Sequence, residues 1–245
     1  MDAVVNVERS FPSAPPRIGC PHCGFTEWAT SARLTSAESQ YMNGHVVHNR
    51  RIRRYEHVHR SGAALATLDV INSGFLKSTV SGRDGSVQVT RFSMRGDLIG
   101  LDAIGSGVHQ CDTIALEDAH LCGIEFTAFE RLVRDIPALQ HQFHKAMGAE
   151  ISRDYDVMLL LGAMRAEERV AIFLLNLSRR FAAHGCSAVK FRLPMQRQEI
   201  GNYLGLKLET VSRAFSHLRA SEMVAIDGKD IEIKNLSRLR QYIQR

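Results

Sequence analysis

Apolar positions follow three successive patterns along this chain. From about Val46 to Phe126 they come in short runs, Thr67–Asn72, Phe75–Ser81, Val87–Phe92 and Ala119–Phe126. Gly-rich turns at Ser73-Gly74, Gly82–Gly85, Gly96, Gly100 and Gly105–Gly107 separate them. Many short strands at near-regular spacing predict a compact antiparallel roll or barrel. Helical spacing begins at Thr127, where T-A-F-E places Thr127 and Glu130 as a capping box. Pro137 divides this short helix from a long one over about Ala138–Met164. Phe143, Met147, Ile151, Met158 and Leu161 mark the long helix's apolar stripe, close to a heptad seam. Its length exceeds what a small roll can cover, so it is read as a dimer seam. Asp154 lies on or next to the stripe. There it either meets its symmetry mate, making the dimer marginal, or points to solvent at the seam's edge.

The third pattern starts with a helix over roughly Ala166–Ala183, stopped at Gly185. Residues 195–233 then read as helix, turn, helix and hairpin. Ile200, Tyr203 and Leu204 share one face of the first helix, and Gly205 breaks it where a tight turn needs unusual dihedrals. Leu208, Val211, Phe215 and Leu218 line the inner face of the second. Its outer face carries Glu209, Ser212 and Arg213, short or forked polar groups suited to base edges in a major groove. Val224–Ile226 and Ile231–Ile233 flank Asp227-Gly228, a hairpin signal. A buried αα-hairpin has no use for that polar cluster, so the segment is read as a DNA reader with a wing. Arg213 is expected to contact a guanine bidentately and Glu209 to accept from a cytosine amino group. Arg197, Lys207 and Arg219 are expected to meet phosphates.

Charge reinforces this division. From Ala166 onward there are 14 Lys/Arg against 8 Asp/Glu, a net of +6, while the rest of the chain is close to neutral. The positive surplus therefore sits with the reader. Residues 1–19, with Pro12, Pro15 and Pro16, read as a mobile arm. No apolar run approaches bilayer length, so no membrane association is expected. The N-terminus lacks the basic-then-apolar pattern of a secretion signal, which predicts a cytoplasmic protein. Five cysteines, Cys20, Cys23, Cys111, Cys122 and Cys186, are an odd set that argues against a disulfide framework. A cupin-like metal enzyme is the reading from another class, because His57-Val58-His59 has the His-x-His spacing of such sites. No Glu follows over residues 60–68, so these histidines read as exposed strand residues and no catalysis is expected.

Three blocks, GDLIGLDAIGSG (Gly96–Gly107), AEERVAIFLLNLSRRF (Ala166–Phe181) and EIGNYLGL…ETVSR (Glu199–Arg213), occur in order within Cys20–Lys234. Together they resemble the fumarate–nitrate reduction regulators, oxygen-responsive members of the cyclic-AMP-receptor-like transcription factors. The resemblance implies an α+β protein in four parts: a flexible arm (1–19), a sensory β-roll (20–137), a dimerisation helix (138–165) and a winged helix–turn–helix (166–245). It implies a homodimer in which Glu209, Ser212 and Arg213 read a palindromic duplex, with Met147, Ile151, Asp154 and Met158 at the dimer switch. It also implies that a surface of the roll touches RNA polymerase.

Two departures matter. A cyclic-nucleotide pocket needs an Arg-Ser pair after the Gly-rich loop. Here His109-Gln110-Cys111-Asp112 stands there, and Asp112 would repel phosphate, so no cyclic nucleotide is expected. The family's oxygen sensors hold a [4Fe–4S] cluster on four cysteines. Cys20, Cys23 and Cys122 match, but the third N-terminal position is Ala29. Three alternatives follow. Cys111, one hairpin from Cys122, supplies the fourth thiolate; or His22, another histidine or another metal such as zinc completes the site; or no cluster forms and the regulator is constitutive.

Overall fold

A computed structural model describes residues 24–30 and 32–243. The arm read over residues 1–19, together with Cys20, His22 and Cys23, lies outside the described residues. Two short helices, α1 (Gly24–Thr30) and α2 (Ser36–Asn43), come first. Thr35 and Glu38 cap α2 reciprocally: the Thr35 N–H donates to the Glu38 carboxylate at 2.8 Å and the Glu38 N–H to the Thr35 hydroxyl at 3.3 Å.

Eight strands follow: β1 (Val46–Ile52), β2 (His57–His59), β3 (Thr67–Ser73), β4 (Phe75–Ser81), β5 (Val87–Met94), β6 (Leu98–Ile99), β7 (Asp112–Ala115) and β8 (Ala119–Glu125). They form two antiparallel four-stranded sheets, β1-β8-β3-β6 and β2-β7-β4-β5, the roll expected from the run-and-turn pattern. Consecutive strands β3 and β4 belong to opposite sheets, so the chain must cross at Gly74. Its φ is +92°, and an added Cβ would lie 2.8 Å from the Asp118 carbonyl, which leaves room for glycine alone. Ile71, Leu76, Ile99, Ala115 and Leu121 fill the space between the sheets, while Leu68 and Ile124 face the other way and pack with Phe25, Trp28 and Phe129.

The helical half begins with α3 (Phe126–Asp135) and α4 (Pro137–Ala163), with Pro137 in the first turn of α4. The capping box expected at Thr127 does not form. Strand β8 runs straight into α3: Glu125 still pairs with Thr67, and the Phe126 N–H donates to the Ala66 carbonyl at 2.9 Å. The helix therefore starts one residue before Thr127, with Glu125 at the cap position and no side-chain cap. The halves of α4 differ. Leu139 is buried and Phe143 meets Phe129 edge-on at 5.1 Å, whereas Ile151, Tyr155, Met158 and Leu159 are at least half exposed.

Next come α5 (Ala166–Ala183), β9 (Lys190–Arg192), α6 (Arg197–Leu204), α7 (Leu208–Ala220), β10 (Val224–Asp227), β11 (Asp230–Ile233) and α8 (Leu236–Tyr242). The wing is a three-stranded sheet, β10-β11-β9, one strand more than the hairpin pattern predicted. The C-terminal unit and the roll share one apolar cluster. Phe92 lies 6.0 Å from Phe173 and 5.2 Å from Tyr203, and Phe75 lies 5.8 Å from Phe181, between ring centres. Among the described residues, no helix is long and apolar enough to cross a membrane.

Candidate nucleic-acid interface and sensory sites

Helix α6 opens with Gln196 and Glu199, the Gln196 N–H donating to the Glu199 carboxylate at 2.7 Å. Ile200 and Leu204 bury its inner face, and Gly205 ends it at φ +63° in the left-handed region. Gly201 lets the turn fold back: an added Cβ there would sit 2.6 Å from the Leu206 carbonyl. In α7, Val211, Ala214, Phe215 and Leu218 are buried and Glu209, Ser212 and Arg213 are exposed; Leu208, expected on the inner face, is also exposed, because it opens the helix ahead of the packed turns. No hydrogen bond or ion pair engages these three among the described residues, so a row of donors and acceptors on the first two turns is free for an outside partner. A major groove about 12 Å wide admits such a helix.

Lys207 and Arg219 flank this face and are exposed. Arg197 is placed otherwise, which corrects the expectation. Its guanidinium lies 3.5 Å from the Phe215 ring centre, beneath the reader, and burial lowers its pKa to about 10. In this position it packs the underside of α7 rather than meeting a phosphate. Helical spacing could not reveal this, because the partner ring sits on another helix.

On α4, Ile151, Asp154 and Met158 are exposed and Met147 is half-buried, within one stripe of the helix surface. A cavity of about 480 Å³ opens between this stretch and the roll. Its lining includes Thr90, Arg91, Asp102, Cys111, Glu150 and Asp154. Arg91 is tied to Glu150. Asp102 accepts the Gln110 N–H at 2.8 Å and the Cys111 thiol at 3.3 Å, and lies 3.4 Å from His109. Burial works against its charge, but these contacts outweigh it and hold the carboxyl below the usual range. Asp112, expected to repel phosphate here, does not line the cavity; it accepts the Ser61 N–H at 2.9 Å. The acids facing the cavity are Asp102, Glu150 and Asp154.

The cysteines do not converge as the Cys111 alternative requires. Cys122 is buried on β8, and the N–H of Gly24, the residue after Cys23, donates to its sulfur at 3.4 Å. Cys111 precedes β7, which pairs with β2 and β4 in the opposite sheet, so the two are not on neighbouring strands. Burial and Asp102 push its thiol up to about 12, which disfavours the thiolate a metal needs. Ala29, 2% exposed, belongs to the apolar cluster of Phe25, Trp28 and Phe129. Among the described residues, no group of three His, Cys, Asp or Glu side chains could hold a metal ion. Of the described cysteines, Cys111 and Cys122 are thus not brought to one site.

The histidines of β2 are also not exposed strand residues. His59 lies 3.4 Å from the buried Asp69 and stacks on His109 with ring centres 4.1 Å apart; His57 faces Asp112 at 4.0 Å. The pairing is tertiary, across strands and the 100–111 loop, and alternation along β2 carries no trace of it.

Comparison with known proteins gives a consistent result. Residues 168–242 match the Crp-like helix-turn-helix domain, and residues 49–135 match the cyclic nucleotide-binding domain. The chain is 39% identical over 224 residues to the fumarate and nitrate reduction regulatory protein of Escherichia coli K12, covering 91% of this chain and 90% of that protein. It is 34% identical over 237 residues to the transcriptional regulatory protein btr of Bordetella pertussis, covering 97% and 98%. Among solved structures it is similar to FixK2 from Bradyrhizobium japonicum, with a TM-score of 0.73 and 30% identity over 79% of this chain and 96% of that one.

Proposed function

The chain belongs to the Crp/Fnr family of DNA-binding transcription regulators, and from that premise we propose that it binds a palindromic duplex site as a homodimer. The observation that carries this reading is the unpartnered row Glu209, Ser212 and Arg213 on a helix whose inner face is buried against its own module. Arg213 reads a guanine, Glu209 accepts from a cytosine, and Lys207 and Arg219 hold flanking phosphates. The exposed half of α4, with Ile151 and Met158 at its centre and Met147 at its edge, pairs with the same surface of a second copy. Asp154 sits beside that seam and weakens it.

Selection from random duplexes, in air and without oxygen, tests the proposal. Enrichment of a palindrome is expected, and its absence under both conditions overturns the reading. Contact between the roll and RNA polymerase, and the absence of catalysis, are part of the same proposal and rest on family membership.

Of the redox-responsive and constitutive readings, the ligand set favours one without a four-thiolate cluster. Cys20, Cys23 and Cys122 make three thiolates, Ala29 offers a buried methyl, and Cys111 is held by Asp102. Anaerobic reconstitution should give colourless protein without stoichiometric iron and sulfide; about four irons per chain would reverse this part of the proposal. The cavity's acids likewise argue against a cyclic nucleotide as effector.

A further inference from the structure

A reader of palindromes must be aimed as well as built. Two copies of α7 have to meet half-sites about 34–36 Å apart, one helical turn of duplex. That separation depends on how α4 pairs and on the angle between α4 and the module carrying α7. The covalent link between α4 and α5 is Met164 and Arg165, both in extended backbone, which fixes no angle by itself.

Side chains hold it at several points, Lys77 to Glu199 at 2.7 Å and Asn202 to Gln88 and Val89 among them, and two of these points reach α4 itself. Arg169, in the first turn of α5, donates from Nη2 to the Leu161 carbonyl at 3.0 Å and from Nε to the Met164 carbonyl at 3.0 Å, both at the end of α4. Its Nη1 donates to the Leu204 carbonyl, the last residue of α6, at 2.9 Å. Helix ends leave such carbonyls unpaired, so one guanidinium caps two helices and joins them. The turn before α7 presses on the same spot: a Cβ added to Gly205 would lie 3.0 Å from Leu161 and 3.5 Å from Arg169.

The second point is Asp97, in the turn between β5 and β6. It pairs with Arg180 of α5, lies 3.4 Å from Arg153 of α4 and 4.0 Å from Arg91 of β5, and accepts the Met94 N–H at 2.9 Å. Glu150 of α4 pairs with Arg91 and, at 2.7 Å, with Arg153. Arg180 also donates to the Phe92 carbonyl at 3.0 Å. Seam helix, roll and reader module thus converge on one carboxylate.

We propose that Arg169 and Asp97 are positioning residues that set the distance between the two readers, so that the protein measures half-site spacing as well as base sequence. The inference rests on the palindrome-binding homodimer reading. Arg169→Lys keeps the charge but loses the fork that reaches three carbonyls. Asp97→Asn keeps the shape and removes the charge that gathers the arginines.

The test uses the full chain and its selected palindrome, the same palindrome with its spacer one base pair longer or shorter, and an isolated half-site. Wild type should prefer the native spacer by about tenfold or more. In both variants that preference should fall to about threefold or less, with half-site affinity within about twofold of wild type. A general loss of stability lowers binding to all duplexes alike and leaves the spacer ratio intact, so an unchanged ratio in Arg169→Lys overturns the inference even if Asp97→Asn does not fold. Half-site affinity that falls as far as palindrome affinity also overturns it, since the residue would then serve the DNA contact itself. Failure of wild type to bind any palindrome overturns the homodimer reading beneath it.

Discussion

The outer face of α7 and the cavity of the roll are both lined by polar side chains, and they treat them in opposite ways. Glu209, Ser212 and Arg213 are left without partners, in full contact with water. In the cavity, Asp102 holds Gln110 and Cys111, and Arg91 is committed to Glu150. A polar group that makes its bonds at home gives up little by staying there. One that has only water to lose can exchange it for a base edge. The contrast favours α7 as the surface offered to an outside partner, while most polar groups named in the cavity are engaged within the chain.

The largest expected effect comes from separating the readers. Ile151→Glu puts a charge into the exposed stripe of α4 and should yield a monomer by sedimentation. Loss of the bivalent grip should weaken palindrome binding roughly a hundredfold or more, with half-site binding unchanged. Next comes the reader itself. Arg213→Ala should cost about 1–3 kcal/mol and relax selection at one base pair, as measured by binding to a panel of single-base variants. Arg197→Ala sharpens the comparison, because this cation lies under α7 rather than on it. It should lower stability by about 0.5–2 kcal/mol through the lost ring contact, while the salt dependence of DNA binding stays that of wild type. A salt slope reduced by about one would mean that Arg197 meets a phosphate after all. Smaller still, Asp154→Ala should move the monomer–dimer balance toward dimer, read by sedimentation at several concentrations. No shift would place Asp154 outside the seam.

On the cavity side the smallest effect is a pH dependence. Burial, and then the neighbouring His59, hold His109 below the ordinary imidazole value of 6.5, against the pull of Asp102. The fold therefore prefers the neutral ring, and the unfolded chain takes up a proton first. This contribution is complete above pH 6.5 and is lost as the pH falls below it. The carboxyl of Asp102, held low, loses its contribution only further into acid. Thermal unfolding at pH 7.5 and 5.5 should show a larger drop for wild type than for His109→Gln. Equal drops would remove His109 as the cause.

The reader was legible because its determinants are local. Gly205 occupies a left-handed turn, the apolar spacing in α7 faces the core, and what remains must face out. Four of the eight roll strands, β3, β4, β5 and β8, and the extent of α4 were legible for the same reason. The third wing strand β9 was missed because three residues carry no periodicity, and the capping box at Thr127 because sheet pairing of Glu125 extended the helix by one residue. Site residues outside the reader fared worse. Arg197, Asp112 and His59 each owe their role to a neighbour distant in sequence, and Arg169 and Asp97, though inside two of the quoted blocks, carry no local pattern that reveals their partners.

Sequence alone determined the main strands of the roll, the long helices and the outward face of the first turns of α7, since hydrophobic periodicity and glycine dihedrals act over a few residues. Tertiary structure decided that Cys111 and Cys122 lie in opposite sheets, that Asp102 rather than Asp112 faces the cavity, and that two side chains tie the reader to the seam. Those outcomes depend on which strands pair and which helix ends meet, a balance of burial and hydrogen bonding over the whole chain that no local window contains.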